Sequence, residues 1–486
     1  MREFRQVDLD CIFETCNFRT KPKRHQLCSL AWGVDKTRVS LWHGIGTGKS
    51  LTALYSHHLW GTGRHLIVCP NSVIGDGINP YGWVEQIRQH TELEPIVLRG
   101  TREERRATLA EPGDKTFIVN YEGLLVLFCD SIKTTQDDGR TKTKHVLNKE
   151  LIKAANLDGL TADECHALAN EKAIQTKTFH ALSDVAEHVI IMTGTPISTS
   201  EEDLWAEYWC LDGGKTLGYS KWPFLNRHFK KKFFGGFEIK KGEREKILER
   251  VAPVTLRFSR EECLDLPPRA YEIRRADMTA EQRRLYEEIA SGCSWELNGV
   301  KYDPIEPEQA ANKLGQIAGG FILIGGEAIR LKENPKLDLL TEMIAETDEK
   351  IIIFHAYVEE GRLLEDRLKK MGIGYASLRG EIKDKAAEVE RFKTNDKCRV
   401  LIAHPKSGGI GLNLQVATVA GFYSNGLSTA TVRQQAEGRI YRQGQEKPVL
   451  FVNLELAGSL DEKHLHRIED QAEVQQEALD FVRNYR

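Results

Sequence analysis

The feature that most constrains the fold is a repeated alternation of short apolar runs with amphipathic segments. In the first half of the chain, the apolar runs are RVSLW (38–42), HLIVCP (65–70), PIVLRG (95–100), TFIVNY (116–121), GLTADE (159–164) and HVIIMTGTP (188–196). Between several of them lie helical patterns such as WVEQIRQH (83–90) and TREERRATLA (101–110). This alternation predicts an α/β fold with a parallel sheet covered by helices on both faces.

The same pattern starts again after about residue 350. The strand-like runs there are IIIFHAY (351–357), YASLRG (375–380), RVLIAHP (399–405), TVAGFYS (418–424) and PVLFVNLEL (448–456), separated by EEGRLLEDRLKKMG (359–372) and DKAAEVERFK (384–393). We therefore expect two α/β lobes, 1–212 and 346–486, with a mainly helical protrusion and linker region, 213–345, between them. The polar segment 129–145 has no periodicity and is predicted to be a surface loop.

Composition sets limits on the class of protein. The 486 residues exceed the ~150 typical of one domain, and 41% hydrophobic with 29% charged residues is ordinary for a globular chain. No apolar run approaches the ~18 residues needed to cross a membrane, and the charged start MREFRQVDLD does not resemble a secretory signal. We expect a cytoplasmic protein without a membrane partner. The ten cysteines include no C-x-x-C pair, so reduced thiols and no structural metal are expected.

A glycine-rich loop, HGIGTGKS (43–50), follows the first strand-like run and opens a helical pattern. Closely spaced glycines let backbone N–H groups approach a phosphate, and a helix N-terminus adds a positive dipole end. Lys49 would reach the terminal phosphates, and Ser50 is a suitable ligand for Mg²⁺ beside a nucleoside triphosphate. His43 stands where the full phosphate-loop pattern has its first glycine, and a flexible turn is the alternative. The predicted phosphate-binding residues are Gly44, Gly46, Thr47, Gly48, Lys49 and Ser50.

Acidic residues end another strand-like run in GLTADECHAL (159–168). In α/β sheets ligands bind beyond the carboxyl ends of the strands, so these side chains are expected near the loop. Asp163 would hold Mg²⁺, and Glu164 would orient and deprotonate a water for attack on the γ-phosphate. A helix N-cap explains an isolated acid pair equally well.

Two further strand ends carry candidate ligand groups. HVIIMTGTP places the hydroxyls of Thr193 and Thr195 ahead of a proline, which a capped turn would also explain. SGGIGLNLQ (407–415) offers backbone N–H groups to phosphates, with Gly411 as the candidate contact. Such a loop on its own is weakly informative.

The strongest signal in the second lobe is QQAEGRIYRQGQ (434–445). On a helix with ~100° per residue, Gln435, Arg439 and Arg442 would lie within about 60° of one another. A solvated charged face is the alternative. Arginine has the planar fork suited to phosphate, and an arginine from a second domain can stabilise the transferring γ-phosphoryl.

The motif order GTGKS, DECH, TGTP, SGGIGLNLQ and Q-A-x-x-R-x-x-R-x-G-Q resembles the superfamily-two helicases and translocases, specifically the Swi/Snf-like branch of DEAH-box ATPases. The similarity extends from about residue 20 to 470. Further matching segments are RHQLCSLAW (24–32), LIVCPNSVI (66–74), FIVNYEGLL (117–125), SEEDLWAEYWCL (200–211) and LDLPPRAYEIRRADMTAEQRRLY (264–286). A compact viral, phage or bacterial member fits best.

The resemblance implies two RecA-like lobes that close over ATP and Mg²⁺, with duplex DNA across the same cleft. It places Gln26 where the family reads adenine, and His166 where the nucleotide site is coupled to the other lobe. The roles of the other family residues match those inferred above, with Gln435, Arg439 and Arg442 completing the site from lobe two. Two departures occur: Cys165 replaces the usual alanine of the acidic box, and LSTA (427–430) replaces Trp-Asn-Pro.

The segment 221–250 is a candidate DNA-facing surface, because it holds ten Lys or Arg against four Glu, interleaved with six aromatics. An aromatic core with a solvated lysine face is the alternative. The net charge of −3 excludes a uniformly basic protein but not a local basic surface. The expected function is a DNA-stimulated ATPase that translocates on duplex DNA and remodels DNA or DNA–protein complexes. A strand-separating or branch-migrating helicase and a non-motor ATP-dependent switch are the alternatives.

Overall fold

The computed structural model describes residue 12 and residues 19–75, 82–135, 141–197, 200–233, 236–382, 384–405, 413–426 and 428–485. These residues fall into two units. The first contains the described residues up to Leu264 and those from Glu473, and the second contains the described residues from Asp265 to Ala472. The chain therefore divides near residue 264. The boundaries at 212 and 345 that the sequence pattern predicted stay predictions.

The first unit is built on a parallel sheet whose strands follow the order β11-β1-β8-β7-β2-β4-β3. The strands of this unit are β1 (Arg38–Leu41), β2 (Arg64–Cys69), β3 (Pro95–Val97), β4 (Lys115–Asn120), β5 (Cys129–Thr135), β6 (Thr141–Leu147), β7 (Gly159–Asp163), β8 (His188–Met192), β9 (Phe229–Lys231), β10 (Phe237–Ile239) and β11 (Thr255–Leu256). The pairs β5–β6 and β9–β10 form antiparallel hairpins outside the main sheet.

Helices of the first unit pack on this sheet. They are α1 (Arg24–Gly33), α2 (Lys49–Leu59), α3 (Trp83–His90), α4 (Arg102–Ala110), α5 (Gly123–Phe128), α6 (Lys149–Ala154), α7 (Ile174–Val185), α8 (Asp203–Asp212), α9 (Lys221–His228), α10 (Glu243–Val251) and α11 (Arg260–Cys263). Strand β2 is buried along its whole length. Leu66 and Val68 enter the core on one face and Ile67 and Cys69 the core on the other, as period-2 alternation requires.

The second unit has its own parallel sheet, with strand order β12-β21-β20-β17-β19-β18. Its strands are β12 (Arg269–Ala276), β13 (Trp295–Leu297), β14 (Val300–Tyr302), β15 (Phe321–Ile324), β16 (Glu327–Arg330), β17 (Lys350–Phe354), β18 (Gly374–Ser377), β19 (Cys398–Ala403), β20 (Ala417–Phe422) and β21 (Val449–Leu456). Its helices are α12 (Ala280–Ala290), α13 (Pro307–Ala318), α14 (Pro335–Ala345), α15 (Val358–Lys370), α16 (Lys385–Thr394), α17 (Ala430–Glu437) and α18 (Leu460–Asn484). Helix α18 begins in this unit, and its residues from Glu473 belong to the first.

The predicted α/β class with two parallel sheets is confirmed, and every strand-like run quoted from the sequence forms a strand. The prediction of a surface loop at 129–145 was wrong, because β5 and β6 pair in antiparallel register from Cys129 and Leu147 onward. Most described side chains of this hairpin are exposed on both faces, so the sequence carries no apolar alternation to reveal it. The region 213–345 is less helical than expected, since it includes three hairpins and the strands β11 and β12 of the two main sheets. No helix within the described ranges has both the length and the apolar character to cross a membrane.

Candidate functional site

The glycine-rich loop joins β1 to α2 at the carboxyl edge of the first sheet. Gly46 and Gly48 have φ values of 81° and 86°, which is left-handed backbone that side chains rarely adopt. A Cβ at Gly48 would lie 2.7 Å from Gln26 Nε2, and one at Gly44 would lie 2.8 Å from the Arg260 backbone nitrogen. The loop therefore needs glycine at these positions, as expected for a backbone cradle around an anion.

Side chains of the loop fold over its own backbone. The Thr47 hydroxyl donates to the Gly44 carbonyl at 2.8 Å. The Lys49 ammonium donates to the carbonyls of His43 at 3.1 Å and Gly44 at 3.4 Å. Ser50 is the second residue of α2, so its hydroxyl stands beside the helix N-terminus. The cation, the helix end and the hydroxyl are thus together in the arrangement that the sequence predicted.

Helix α1 supports the loop from one side. Gln26 Nε2 donates to the Gly48 carbonyl at 3.1 Å, and its amide oxygen accepts from the Lys23 backbone at 2.8 Å. His25 Nε2 lies 2.8 Å from the Thr47 carbonyl. From α11, Arg260 Nε donates to the Ile45 carbonyl at 3.1 Å. Gln26 therefore lies against the phosphate loop, while the adenine contact that the resemblance implies stays a prediction.

The acid pair ends β7 at the same edge of the sheet. Asp163 Oδ2 accepts a hydrogen bond of 2.9 Å from the Trp83 indole nitrogen, and the Tyr121 hydroxyl donates to the Asp163 carbonyl at 2.7 Å. Glu164 has φ 54° and ψ 56°, a strained conformation for a residue other than glycine. Its Oε2 accepts from the Thr193 hydroxyl at 3.2 Å and lies 3.3 Å from His166 Nδ1.

The surroundings of Asp163 and Glu164 shift the pKa values of their carboxyl groups in opposite directions. Burial and the charge of Glu164 raise the pKa of Asp163, against the opposing charge of Lys49. Burial also disfavours charge on Glu164, but the hydrogen bond and charge of His166, together with Lys49, lower its pKa. Burial disfavours charge on His166 as well, yet Glu164 raises the pKa of His166 overall. Glu164 is thus held ionised at neutral pH, as a base that accepts a proton from water must be.

The TGTP segment brings β8 to the same place. The Thr195 backbone nitrogen donates to the Thr193 hydroxyl at 3.0 Å. A Cβ at Gly194 would lie 3.4 Å from Lys49 Nζ and 2.8 Å from an Ile45 side-chain atom. The Thr195 hydroxyl is buried and has no hydrogen-bond partner among the residues that the structure describes. Loop, acid pair and TGTP segment therefore form one cluster with the donor and acceptor groups that a nucleoside triphosphate with a divalent cation requires.

In the second unit the predicted helical stripe was wrong. Gln435 lies in α17, but that helix ends at Glu437, and Arg439 and Arg442 follow it in successive turns. Beyond the helix the Arg439 carbonyl accepts from the Leu414 backbone at 3.0 Å. The Arg439 carbonyl thus has a tertiary partner where a continued helix would use it internally. Gln445 Nε2 donates to the carbonyls of residues 415, 417 and 440 and ties this segment to the preceding loop.

The two arginines have different surroundings. Arg439 Nη2 donates to the Pro405 carbonyl at 3.0 Å, and burial lowers the pKa of Arg439 to about 10. Arg442 is partly exposed. Gly411, with the rest of 406–412, and Leu427 of the LSTA segment lie outside the described residues. The roles predicted for Gly411 and the LSTA segment stay predictions. The approach of Arg439 and Arg442 to the phosphate loop also stays a prediction.

Some site residues were not predicted from the sequence. The segment WVEQIRQH was identified only as a helix, yet Trp83 at its start supplies the hydrogen bond to Asp163. Tyr121 and Arg260 likewise hold the acid pair and the loop. Their partners lie 42 to 215 positions away along the chain, and no local spacing marks such contacts.

The basic segment 221–250 contains both structures that the sequence left open, an aromatic core and an exposed basic surface. Phe224 and Phe229 are buried in the core of the first unit. Trp222 is 62% exposed and Phe233 is 95% exposed, and the lysines at 230–232 are exposed as well. Part of the segment is therefore aromatic core, and part presents rings and charges to solvent.

The family model described as the SNF2-related domain matches residues 24–315, which is more than half of the chain. The chain belongs to the SNF2-related family. A second model, the helicase conserved C-terminal domain, matches residues 335–444. The resemblance inferred from motif order is thereby confirmed.

Among curated relatives of this SNF2-related chain, the putative protein p41 of Acyrthosiphon pisum secondary endosymbiont phage 1 is 24% identical, covering 96% of this chain and 99% of that protein. The putative ATP-dependent helicase/translocase YwqA of Bacillus subtilis (strain 168) is 25% identical over 86% of this chain and 44% of its own. The CHD3-type chromatin-remodeling factor CHR7 of Arabidopsis thaliana is 24% identical over 95% and 37%. The chain thus spans less than half the length of the last two relatives.

A solved Sulfolobus solfataricus SWI2/SNF2 ATPase core in complex with dsDNA aligns over 96% of this chain and 97% of that chain, with a TM-score of 0.43 and 19% identity.

Proposed function

We propose that this SNF2-related chain is a DNA-dependent ATPase that moves along DNA, with duplex favoured, and remodels DNA or DNA–protein complexes. The observation that carries the proposal is the cluster of phosphate loop, acid pair and TGTP segment at one edge of the first sheet. Family membership supports DNA as the partner, and the exposed lysines and rings of 221–250 supply a surface of suitable charge.

In this proposal the chain binds ATP through the loop amides and Lys49, with Gln26 toward the adenine. Ser50 and Asp163 would hold Mg²⁺, which neutralises charge on the β- and γ-phosphates when bound. Trp83 fixes the orientation of Asp163 through its hydrogen bond. Asp163 is buried, which strengthens its electrostatic interaction with a bound cation.

Hydrolysis requires a water aligned with the γ-phosphate. Glu164 orients that water through one carboxylate oxygen and takes its proton, while Thr193 and His166 hold the carboxylate in place. We propose that Gln435, Arg439 and Arg442 complete the site from the second unit, together with Gly411, when the two units close. An arginine there meets charge that develops only in the transition state.

Two substitutions test the roles proposed for Lys49 and Glu164. Lys49→Ala removes the phosphate cation and should abolish useful ATP binding. Glu164→Gln keeps the size and hydrogen bonding of the side chain but loses the base, so it should bind ATP normally and stop hydrolysis. Equilibrium binding of a fluorescent ATP analogue and phosphate release measure the two properties separately. Hydrolysis at the parental rate by the Glu164→Gln protein would defeat the assignment.

Movement along DNA is tested by displacement of the third strand from a triplex, because this requires tracking but no separation of the underlying duplex. ATP-dependent displacement without unwinding is expected. Efficient unwinding of a plain forked duplex would instead favour a strand-separating helicase. Tight nucleotide-controlled DNA binding without multiple turnovers of ATP would favour a non-motor switch.

A further inference from the structure

A pocket of about 290 Å³ lies beside the start of α9 in the first unit. None of its lining residues belongs to the phosphate loop or the acid pair. The lining side chains that matter for recognition are Tyr219, Pro223, Phe224, Arg227, His228 and Arg250. The hydrolytic proposal gives this pocket no role.

The walls of the pocket are mostly apolar. Tyr219 is 77% exposed, although it is a large aromatic side chain, and Trp222, next to Pro223 in the sequence, is 62% exposed. Phe224 also lines the pocket but is buried, with its ring centroid 5.1 Å from that of His228. An exposed aromatic ring that lines a pocket offers a flat ring partner a surface on which to stack.

The charged side chains that line the pocket are positive. Arg227 and Arg250 line it, both are exposed, and no carboxylate stands among its lining residues, all of which the structure describes. The exposed lysines at 230–232 continue the basic character along the chain. The planar guanidinium fork suits phosphate oxygens, so an anionic ligand with an apolar body is complementary to this surface.

His228 also lines the pocket. It is only 3% exposed, and its Nδ1 lies 2.7 Å from Glu243 Oε2, so Nδ1 carries the proton that it donates to the carboxylate. Burial lowers the pKa of His228, with Glu243 opposing, which leaves the ring neutral near pH 7. Arg227 and Arg250 are therefore the cationic groups of the lining.

We propose that this pocket binds one unpaired nucleotide of single-stranded DNA. The base stacks on Tyr219 above Pro223 and Phe224, and Arg227 and Arg250 hold the flanking phosphates. Every base has a π face, so the site tolerates sequence. The inference rests on the proposed DNA-dependent function and adds to its duplex substrate a contact with single-stranded DNA beside the duplex.

The test measures fluorescence anisotropy of a labelled deoxycytidine pentamer with the full chain and with variants of exposed residues. Tyr219→Ala should bind the pentamer about 5- to 150-fold more weakly, the range that loss of one stacked base gives, whereas Tyr219→Phe keeps the ring and should bind normally. Arg227→Gln should weaken binding and reduce its salt dependence, and Arg283→Gln, an exposed arginine on α12, serves as the matched charge control. A pentamer with abasic positions should bind the wild-type chain as weakly as the intact pentamer binds Tyr219→Ala.

Duplex-stimulated ATPase, measured on the same variants, separates the two proposals. Tyr219→Ala should keep this stimulation, because the residue is not part of the hydrolytic site. Wild-type affinity of Tyr219→Ala for the pentamer, or equal binding of intact and abasic pentamers, would overturn the pocket assignment while leaving the ATPase proposal in place. Binding of an acidic, tryptophan-containing peptide that requires Tyr219, without binding of the pentamer, would assign the pocket to a protein partner and overturn it too. Absence of stimulation by any DNA would count against the proposed function itself.

Discussion

Replacing Trp83 by phenylalanine should weaken Mg²⁺-dependent ATP turnover without touching nucleotide or metal directly. Trp83 is 1% exposed, and its indole nitrogen donates to Asp163 Oδ2 at 2.9 Å. Phenylalanine keeps an aromatic ring in the core but removes the only N–H of the side chain. A hydrogen bond to a charged group contributes about 1.5–3 kcal/mol, so the Mg²⁺ concentration for half-maximal turnover should rise about 10- to 150-fold.

The matched control is Trp60→Phe. Trp60 packs against the same hydrophobic core as Trp83, and its indole nitrogen donates to the Gly33 carbonyl at 3.2 Å rather than to an acid. Both variants lose some stability from the smaller ring, which urea unfolding measures, but only Trp83→Phe should change the Mg²⁺ titration of phosphate release. Unaltered Mg²⁺ dependence in Trp83→Phe, or an equal shift in Trp60→Phe, would refute the role given to this hydrogen bond.

Three further outcomes are expected. Arg442→Ala should leave ATP affinity nearly unchanged but slow single-turnover hydrolysis by ~10³–10⁵, and Arg442→Lys should not restore it, since a point charge lacks the planar fork; equal loss in binding and turnover would argue against a transition-state role. Neutralising the lysines at 230–232 should lower the slope of log K against log salt for duplex DNA by ~0.9 per lost phosphate contact, with basal ATPase unchanged. An unaltered slope would show that these lysines form a solvated face that does not contact DNA. Burial lowers the pKa of His57 and, to about 3, that of His65, so the unfolded chain binds protons near pH 6.5 that the folded chain does not. The free energy of unfolding should therefore fall below that pH by up to about 1.4 kcal/mol per pH unit for each histidine, and urea unfolding between pH 7 and 5.5 that shows no such fall would contradict this.

Strands and the sites at their ends were predictable because burial imposes a pattern on the sequence. Apolar runs bounded by glycine, proline and polar residues identified the strands of both sheets except β11 and β12, and the placement of Asp163 and Glu164 beside the loop followed from parallel topology. The close spacing of the glycines likewise indicated the tight loop in which Gly46 and Gly48 adopt positive φ.

Features that depend on distant partners or on solvent-exposed backbone were not predictable in this way. The described side chains of the β5–β6 hairpin are mostly exposed on both faces, so no apolar alternation in the sequence marked its strands. The periodic continuation of α17 to Arg442 was wrong because the chain leaves the helix after Glu437, and the Arg439 carbonyl accepts from the distant Leu414 backbone instead of from a residue one turn further along. Trp83 reaches Asp163 across 80 positions, and nothing in its local sequence distinguishes it from an ordinary core residue.

DNA-dependent ATP hydrolysis is tested most directly by steady-state turnover of the full chain with duplex DNA, forked DNA, single-stranded DNA and RNA in parallel, with Glu164→Gln as the inactive reference. We expect low activity without nucleic acid, strong stimulation by duplex and forked DNA, and no turnover by Glu164→Gln under any condition. Hydrolysis that is indifferent to every nucleic acid, or that persists in Glu164→Gln, would contradict it.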